Sequence, residues 1–423
     1  MGTGAVLRTA SAALLGAAAI GALILGGAAV ARAQGATFTT LERGRYLVDA
    51  GDCAACHTAE GGKSMAGGRP IPTPFGTIYS TNITPDKETG IGNWTEEEFY
   101  KAVHDGIGPG GKRYYPAFPY PWYTKLSAED VRAIKAYLDA IAAVRQKDQP
   151  PDLPWPLTIR KVMAIWNALY FRAATYEPNP AKSAAWNRGA YLVEGLGHCG
   201  ACHTPKNILG APKRDEHLAG GFGEHWYAMS LTSDPRDGLG AWSEQEIVEY
   251  LKTGSIAKAA AAGPMAEVVQ NSTQHLSDAD LKAVATYLKD LPGGGRVAGA
   301  APSKIDSAAM AHGKALYLDQ CTGCHLEEGT GIAEVFPPLK GSAAVQAKDP
   351  ATVLEAMIDG ATVVATAAKP TGLAMPAFGW KLNDSELADL ATYIRNAWGN
   401  QASAVTPGQV SKARKESQQS AAK

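Results

Sequence analysis

Apolar and polar positions along this chain recur with helical spacing, and strand-like alternation is scarce. Three segments follow one scheme. Leu126-Ser127-Ala128-Glu129-Asp130 leads to Tyr137, Leu276-Ser277-Asp278-Ala279-Asp280 to Tyr287 and Leu382-Asn383-Asp384-Ser385-Glu386 to Tyr393, with a Leu-to-Tyr offset of eleven each time. Ser or Asn followed three residues on by an acid resembles a capping box, which satisfies the free amides of a first helical turn. Trp94-Thr95-Glu96-Glu97-Glu98 and Trp242-Ser243-Glu244-Gln245-Glu246 start two more capped helices.

A second recurring segment lies earlier in each repeat: Arg43-Gly44-Arg45-Tyr46-Leu47-Val48, Arg188-Gly189-Ala190-Tyr191-Leu192-Val193 and His312-Gly313-Lys314-Ala315-Leu316-Tyr317. A small Gly on a first helix and an aromatic on a last helix suit a close crossing of the two. The pattern therefore predicts an all-α chain of three tandem domains, at 38–146, 181–293 and 304–400, with long Gly/Pro loops. Linkers are expected at 147–180, where Pro150-Pro151, Pro154 and Pro156 exclude regular helix, and at 294–303. Between Arg160 and Arg172, Val162, Ile165, Trp166 and Leu169 form an apolar stripe flanked by cations. Such a stripe suits an interfacial helix or packing between domains, and packing is the favoured expectation. The polar tail, 401–423, is expected to be disordered.

The N-terminal pattern differs. Arg8 precedes an apolar run from Ala12 to Val30 that ends in Ala31-Arg32-Ala33 before Gln34. A small-x-small cleavage pattern reads as a secretory signal peptide, 1–33, in preference to an uncleaved anchor, so the chain is expected to be exported. A net charge of −1, with no basic tract, Walker loop or dinucleotide fingerprint, argues against nucleic acid as a partner.

Composition alters the picture most through cysteine. All six fall in one pentapeptide: Cys53-Ala54-Ala55-Cys56-His57, Cys199-Gly200-Ala201-Cys202-His203 and Cys321-Thr322-Gly323-Cys324-His325. C-x-x-C-H is the attachment signature of c-type haem: two thiols one turn apart add to the porphyrin vinyls and the next imidazole is aimed at the iron. Zinc would need two such pairs on one metal, and a thioredoxin-like dithiol gives no reason for a His repeated three times. Three covalently bound haems c follow as the expected cofactors, with His57, His203 and His325 as axial ligands.

Electron-transfer haems commonly take a Met sulfur as the second axial ligand. Met265, in Gly263-Pro264-Met265, and Met375, in Ala374-Met375-Pro376, precede the final helices of repeats two and three. The first repeat has Ala117-Phe118-Pro119 there, and Phe118 cannot ligate iron. Its sixth ligand is unknown, with Met65 and His104 as weak candidates, and an open or unusual first iron is expected.

The chain resembles the triheme cytochrome c subunit of membrane-bound bacterial alcohol, gluconate, sorbitol, fructose and aldehyde dehydrogenases. The resemblance covers about residues 38–400 and rests on three runs. These are Pro74-Phe75-Gly76-Thr77-Ile78-Tyr79-Ser80-Thr81-Asn82-Ile83-Thr84, Trp186-Asn187-Arg188-Gly189-Ala190-Tyr191-Leu192-Val193 with Gly197-His198, and Ala374-Met375-Pro376-Ala377-Phe378. The family has Met where Phe118 stands. What the resemblance implies is three tandem class I-like cytochrome c domains that carry electrons from a dehydrogenase catalytic subunit, of pyrroloquinoline quinone, flavin or molybdopterin type, to ubiquinone at the membrane. No nucleophile with a paired base is visible in the chain, so it is not expected to be a catalyst by itself. Two alternatives stay open at this point: a stand-alone periplasmic electron carrier, and a haem enzyme that uses an open first haem.

Overall fold

The structure, a computed structural model, describes residues 1–2, 38–293 and 305–421. The export segment and the linker 294–303 lie outside the described residues. Each repeat is framed by two crossing terminal helices: 38–50 with Ala128–Ala140, Ala184–Tyr191 with Asp278–Lys289, and Ser307–Gln320 with Asp384–Asn396. The glycines are what let them cross. A Cβ on Gly44, Gly189 or Gly313 would lie 2.7, 2.9 or 2.8 Å from the Cβ of Tyr137, Tyr287 or Tyr393, and closer still to the carbonyl of Ala133, Ala283 or Asp389.

The predicted caps are present. Ser127 and Ser277 accept from the amides of Asp130 and Asp280, and Asn383 forms a full capping box with Glu386, as Thr95 does with Glu98 and Ser243 with Glu246. The boxes at Ser127 and Ser277 are not closed, because their acids are used across the boundary between repeats. Tyr46 of the first repeat donates to Asp280 of the second at 2.6 Å, while Tyr191 of the second donates to Asp130 of the first. Arg43 and Arg188 pair with the same two aspartates. The exchange is reciprocal, so repeats one and two are locked face to face around one continuous hydrophobic core that includes Leu47, Val48, Leu126, Leu192, Leu196 and Leu281.

The third repeat has its own core and leans on the second through Thr352 Oγ1 donating to the Tyr227 carbonyl at 2.8 Å and Lys369 Nζ to that of Ser255 at 3.0 Å. Among the described residues, strands are confined to five two-stranded ladders of two to four residues, such as Pro70–Thr73 with Gly76–Tyr79. The segment expected as a linker, 147–180, is tied down: Thr77 and Asp152 exchange backbone hydrogen bonds of 2.9 and 2.8 Å. Its helix Met163–Tyr170 buries Met163 and Trp166 against Tyr115 and Tyr120. The apolar stripe is divided, however, since Ile165 and Leu169 stay 64% and 60% exposed.

The disordered tail is corrected by the structure. Residues Pro407–Ala421 form a helix that buries Val410 and Ala413 in the third core. Thr406 starts it, exchanging hydrogen bonds with Gln409, and Pro407 takes the first helical position. A low aromatic content concealed two small apolar residues at the right spacing, which suffice against a surface that is already built.

That helix covers Glu355, which is 2% exposed with Oε1 unpartnered. Burial, with Asp359 and Glu416 nearby, pushes its carboxyl up to about 8. An unfolded Glu ionises near 4.3, so between there and about 8 the folded chain holds the extra proton and stability falls as pH rises. Glu355→Gln cannot ionise. Thermal melts should therefore show little change near pH 4 and a gain of roughly 2 kcal/mol or more at pH 9.

Candidate functional site

Each C-x-x-C-H run forms a single helical turn just after the first terminal helix: Cys53–His57, Gly200–His203 and Thr322–His325. Residues three apart share a helix face, so both thiols of a pair point the same way and the His follows one step round. The three imidazoles are fixed alike. His57 Nδ1 lies 2.7 Å from the Thr81 carbonyl, His203 Nδ1 2.7 Å from that of Met229 and His325 Nδ1 3.0 Å from that of Pro337. A carbonyl only accepts, so Nδ1 carries the proton and Nε2 keeps its lone pair for a metal. Burial pushes all three imidazoles down in pKa, which keeps them neutral and able to ligate.

None of the six cysteines is joined to another in a disulfide. Burial pushes Cys53, Cys56, Cys199 and Cys321 up to about 12 and raises Cys202. Redox dithiols need the opposite shift. Among the described residues, no group of three or more His, Cys, Asp or Glu side chains is placed to hold a metal ion by itself. The donor set suits a metal held by a bound macrocycle.

One apolar cavity of about 520 Å³ runs from the second motif to the third. Cys199, Cys202, His203 and Met265 line one part, and Cys321, Cys324, His325 and Met375 line another. Met265 is the second residue of the helix Pro264–Asn271, which follows Gly263 at φ 55°, where a Cβ would strike Trp226. Met375 pairs with Ala361 in a two-residue ladder. Both sulfurs thus share a cavity with the His of their own repeat, and the residues fit a flat, largely apolar cofactor.

The first motif adjoins the second. Ala50 and Asp52 belong to the same cavity, and Ser272 Oγ donates to the Ala50 carbonyl at 3.2 Å. Arg69 donates to the Ala55 carbonyl inside the first motif and pairs with Glu267 at 2.6 Å and Glu224 at 3.1 Å in the second repeat. Tyr123 donates to the Gly51 carbonyl at 2.8 Å, and its ring meets the edge of His198, next to Cys199, at 5.3 Å.

The remaining first-repeat candidates are placed apart. Met65 is buried, its amide on Thr58 Oγ1 at 3.2 Å and its carbonyl on the Ile83 amide at 3.0 Å. Thr58 follows His57 and Ile83 lies just beyond its Thr81 anchor, so Met65 belongs to the His57 side. His104 is stacked on Tyr100 at 4.9 Å with Nδ1 2.7 Å from Asp105, all on one helix. Phe118 packs edge-on against Tyr114 and Tyr123 at 5.6 and 5.7 Å.

Sequence reasoning missed the His anchors and Arg69. The repeat register held the signal for two anchors: the Thr84 amide donates to Asn82 Oδ1 and the Thr232 amide to Ser230 Oγ, which aligns Thr81 with Met229. Nothing local marked Arg69, whose acids lie 155 and 198 residues away.

Comparison with known proteins agrees with this geometry. The Cytochrome c family model matches residues 41–142, 187–292 and 310–398. The gluconate 2-dehydrogenase cytochrome c subunit of Pantoea cypripedii is 41% identical over 396 residues, 89% of this chain and 90% of that one. The cytochrome c subunit of the quinone alcohol dehydrogenase of Gluconobacter oxydans is 41% identical over 413 residues, 93% and 85%. The fructose dehydrogenase cytochrome subunit of Gluconobacter japonicus is 38% identical over 406 residues, 89% and 82%. Three domain matches imply three covalently bound haems c. The chain belongs to the cytochrome c family, as three such domains in tandem.

Proposed function

We propose that this chain is the electron-transfer subunit of a dehydrogenase complex, passing electrons from a catalytic subunit that oxidises an alcohol, sugar, sugar acid or aldehyde to ubiquinone in the cytoplasmic membrane. The observation that carries the proposal is the contiguity of the sites: motifs two and three share one cavity, and the segment leading into motif one, Ala50 and Asp52, forms part of its wall, with Ala50 hydrogen-bonded to Ser272. Covalent haem c supplies a one-electron carrier whose potential is set by its axial ligands and surroundings.

The chain's residues do the rest. The pairs Cys53 and Cys56, Cys199 and Cys202, and Cys321 and Cys324 would form the thioethers, and His57, His203 and His325 would each offer Nε2 to an iron. Met265 and Met375 would offer a sulfur to the second and third irons. Phe118 leaves the first without a sulfur. Buried apolar walls exclude water, and the reciprocal Tyr46–Asp280 and Tyr191–Asp130 contacts hold the first two sites at a fixed separation. At the first site Phe118 supplies no general acid or base, and the Tyr123 hydroxyl beside it is engaged by the Gly51 carbonyl, which favours transfer over catalysis.

Export and a position at the periplasmic membrane surface belong to the same proposal. The run Ala12 to Val30 with its small-x-small end supports export. Trp155, Ile165, Leu169 and Ile208, exposed beside Arg160, Lys161 and Arg172, suit contact with an anionic bilayer. A tagged full chain recovered from its native membranes is expected to bring down a dehydrogenase subunit, and that subunit's substrate should reduce the haems, with ubiquinone reoxidising them. Recovery of the chain alone, with haems indifferent to ubiquinone, would favour a stand-alone carrier.

A further inference from the structure

The residues after Met375 are held from two directions. From beneath, Phe378 and Gly379 donate their amides to the Met357 and Ile358 carbonyls at 2.8 and 3.1 Å, at the end of the helix Ala351–Ile358. From above comes the tail. Arg414 donates Nη1 to the Gly379 carbonyl, Nη2 to the Leu382 carbonyl and Nε to Asp384 Oδ1 at 2.7 Å. A planar fork with three fixed acceptors defines position far better than a point charge could. Asp384 opens the helix Asp384–Asn396, so one guanidinium joins the tail, the loop after Met375 and that helix.

The tail is itself anchored on the cavity wall. Fully buried Arg395 donates to the carbonyls of Val345 at 2.9 Å, Ala347 at 3.0 Å and Ser403 at 3.2 Å, and Val345 lines the cavity. Farther along, Ser417 Oγ donates to Asp359 Oδ1 at 2.8 Å. Asp359 is followed by Gly360, where a Cβ would stand 2.6 Å from the Met375 carbonyl. The contacts of Arg414 and Ser417 thus converge on the two backbone segments that flank Met375.

We propose that the C-terminal helix is a strap that positions Met375, with Arg414 as its positioning residue. The inference rests on Met375 as an axial ligand of the third haem. A Met sulfur is a weak ligand that stays on ferric iron only if its loop is held in place. Arg414 adds to that restraint from above, beside the two amide bonds to the helix beneath, the pairing of Met375 with Ala361 and the bond from Lys381 Nζ to Gln320 Oε1 at 2.6 Å.

The test uses the full haem-loaded chain with Arg414→Ala, Arg414→Lys and Met375→Leu. The readouts are the red charge-transfer absorption of sulfur-bound ferric haem, the separate reduction potentials and amide exchange at residues 376–382. With Met265 untouched, Arg414→Ala should cut the absorption to about half and lower one potential of three. Exchange at Phe378 and Gly379 should rise about tenfold or more. Arg414→Lys should fall between, since an ammonium cannot serve three acceptors. If Met375→Leu halves the absorption while Arg414→Ala leaves absorption, potentials and exchange as in the parent, the strap is overturned. If Met375→Leu leaves the absorption intact, the ligand assignment fails, and faster loop exchange in Arg414→Ala would still support the strap as a loop clamp. Should Arg414→Ala fold poorly, Arg414→Lys with parental exchange and absorption overturns the proposal.

Discussion

Phe118→Met is expected to close the first haem to carbon monoxide and to raise its reduction potential, leaving the other two as they were. In the parent, ferrous protein with carbon monoxide should change spectrum at one haem of the three. The reason is a single side chain. Ala117-Phe118-Pro119 occupies the place of Ala374-Met375-Pro376, and the Phe118 ring offers iron no lone pair. Thioether sulfur is a soft donor, so Met265 and Met375 would stabilise ferrous iron in their own repeats. The Phe118 ring already sits among aromatic neighbours at 5.6 and 5.7 Å, and Met is flexible enough to fill that space. Met65 and His104 give the control. Met65→Leu and His104→Gln should change neither the carbon monoxide spectrum nor the first potential, since Met65 lies on the His57 side and His104 is engaged with Tyr100 and Asp105. A parent whose three haems are all low-spin and give no carbon monoxide response, with Met65→Leu and His104→Gln both without effect, would contradict the open-site assignment.

Gly189→Ala and Gly313→Ala should each cost about 3 kcal/mol through the clash, of which helix propensity returns at most about 1 kcal/mol. The sign is decided by geometry. The added Cβ would stand 2.9 Å from the Tyr287 Cβ or 2.8 Å from the Tyr393 Cβ, and nearer to a backbone carbonyl that cannot swing away. The two terminal helices would have to separate, and the first of them delivers the thiols to the cavity. Melting temperature and haem content should fall together in each variant. Gly323→Ala, where an added Cβ meets nothing within 4 Å and where the other motifs already carry Ala55 and Ala201, should behave as the parent. An unchanged melt for Gly189→Ala would mean that the terminal helices do not cross as closely as described.

Much of this was legible in the chain because the informative features are local. A capping residue, a glycine before an aromatic and a five-residue attachment motif each act within a turn or two of helix, so Ser127, Gly44 and the Cys pairs could be read directly. What could not be read is pairing across long separations. Tyr46 with Asp280 is 234 residues apart, and no periodicity marks it. The tail failed for a related reason: Val410, Ala413 and Arg414 are too few to make a helix alone and gain their meaning only from the third core and the loop after Met375. The stripe at 160–172 was half legible, for spacing showed that it was amphipathic but not that Trp166 would turn inward while Ile165 and Leu169 stayed outside.

The most direct measurement is the intact mass of the chain purified from its native cell envelope under denaturing conditions. Noncovalent groups are lost there and thioether adducts survive. The expected mass is the polypeptide from Gln34 onward plus three haems, with peptides spanning Cys53 to Cys56, Cys199 to Cys202 and Cys321 to Cys324 each carrying one. A bare polypeptide, or a count other than three, would contradict the central claim.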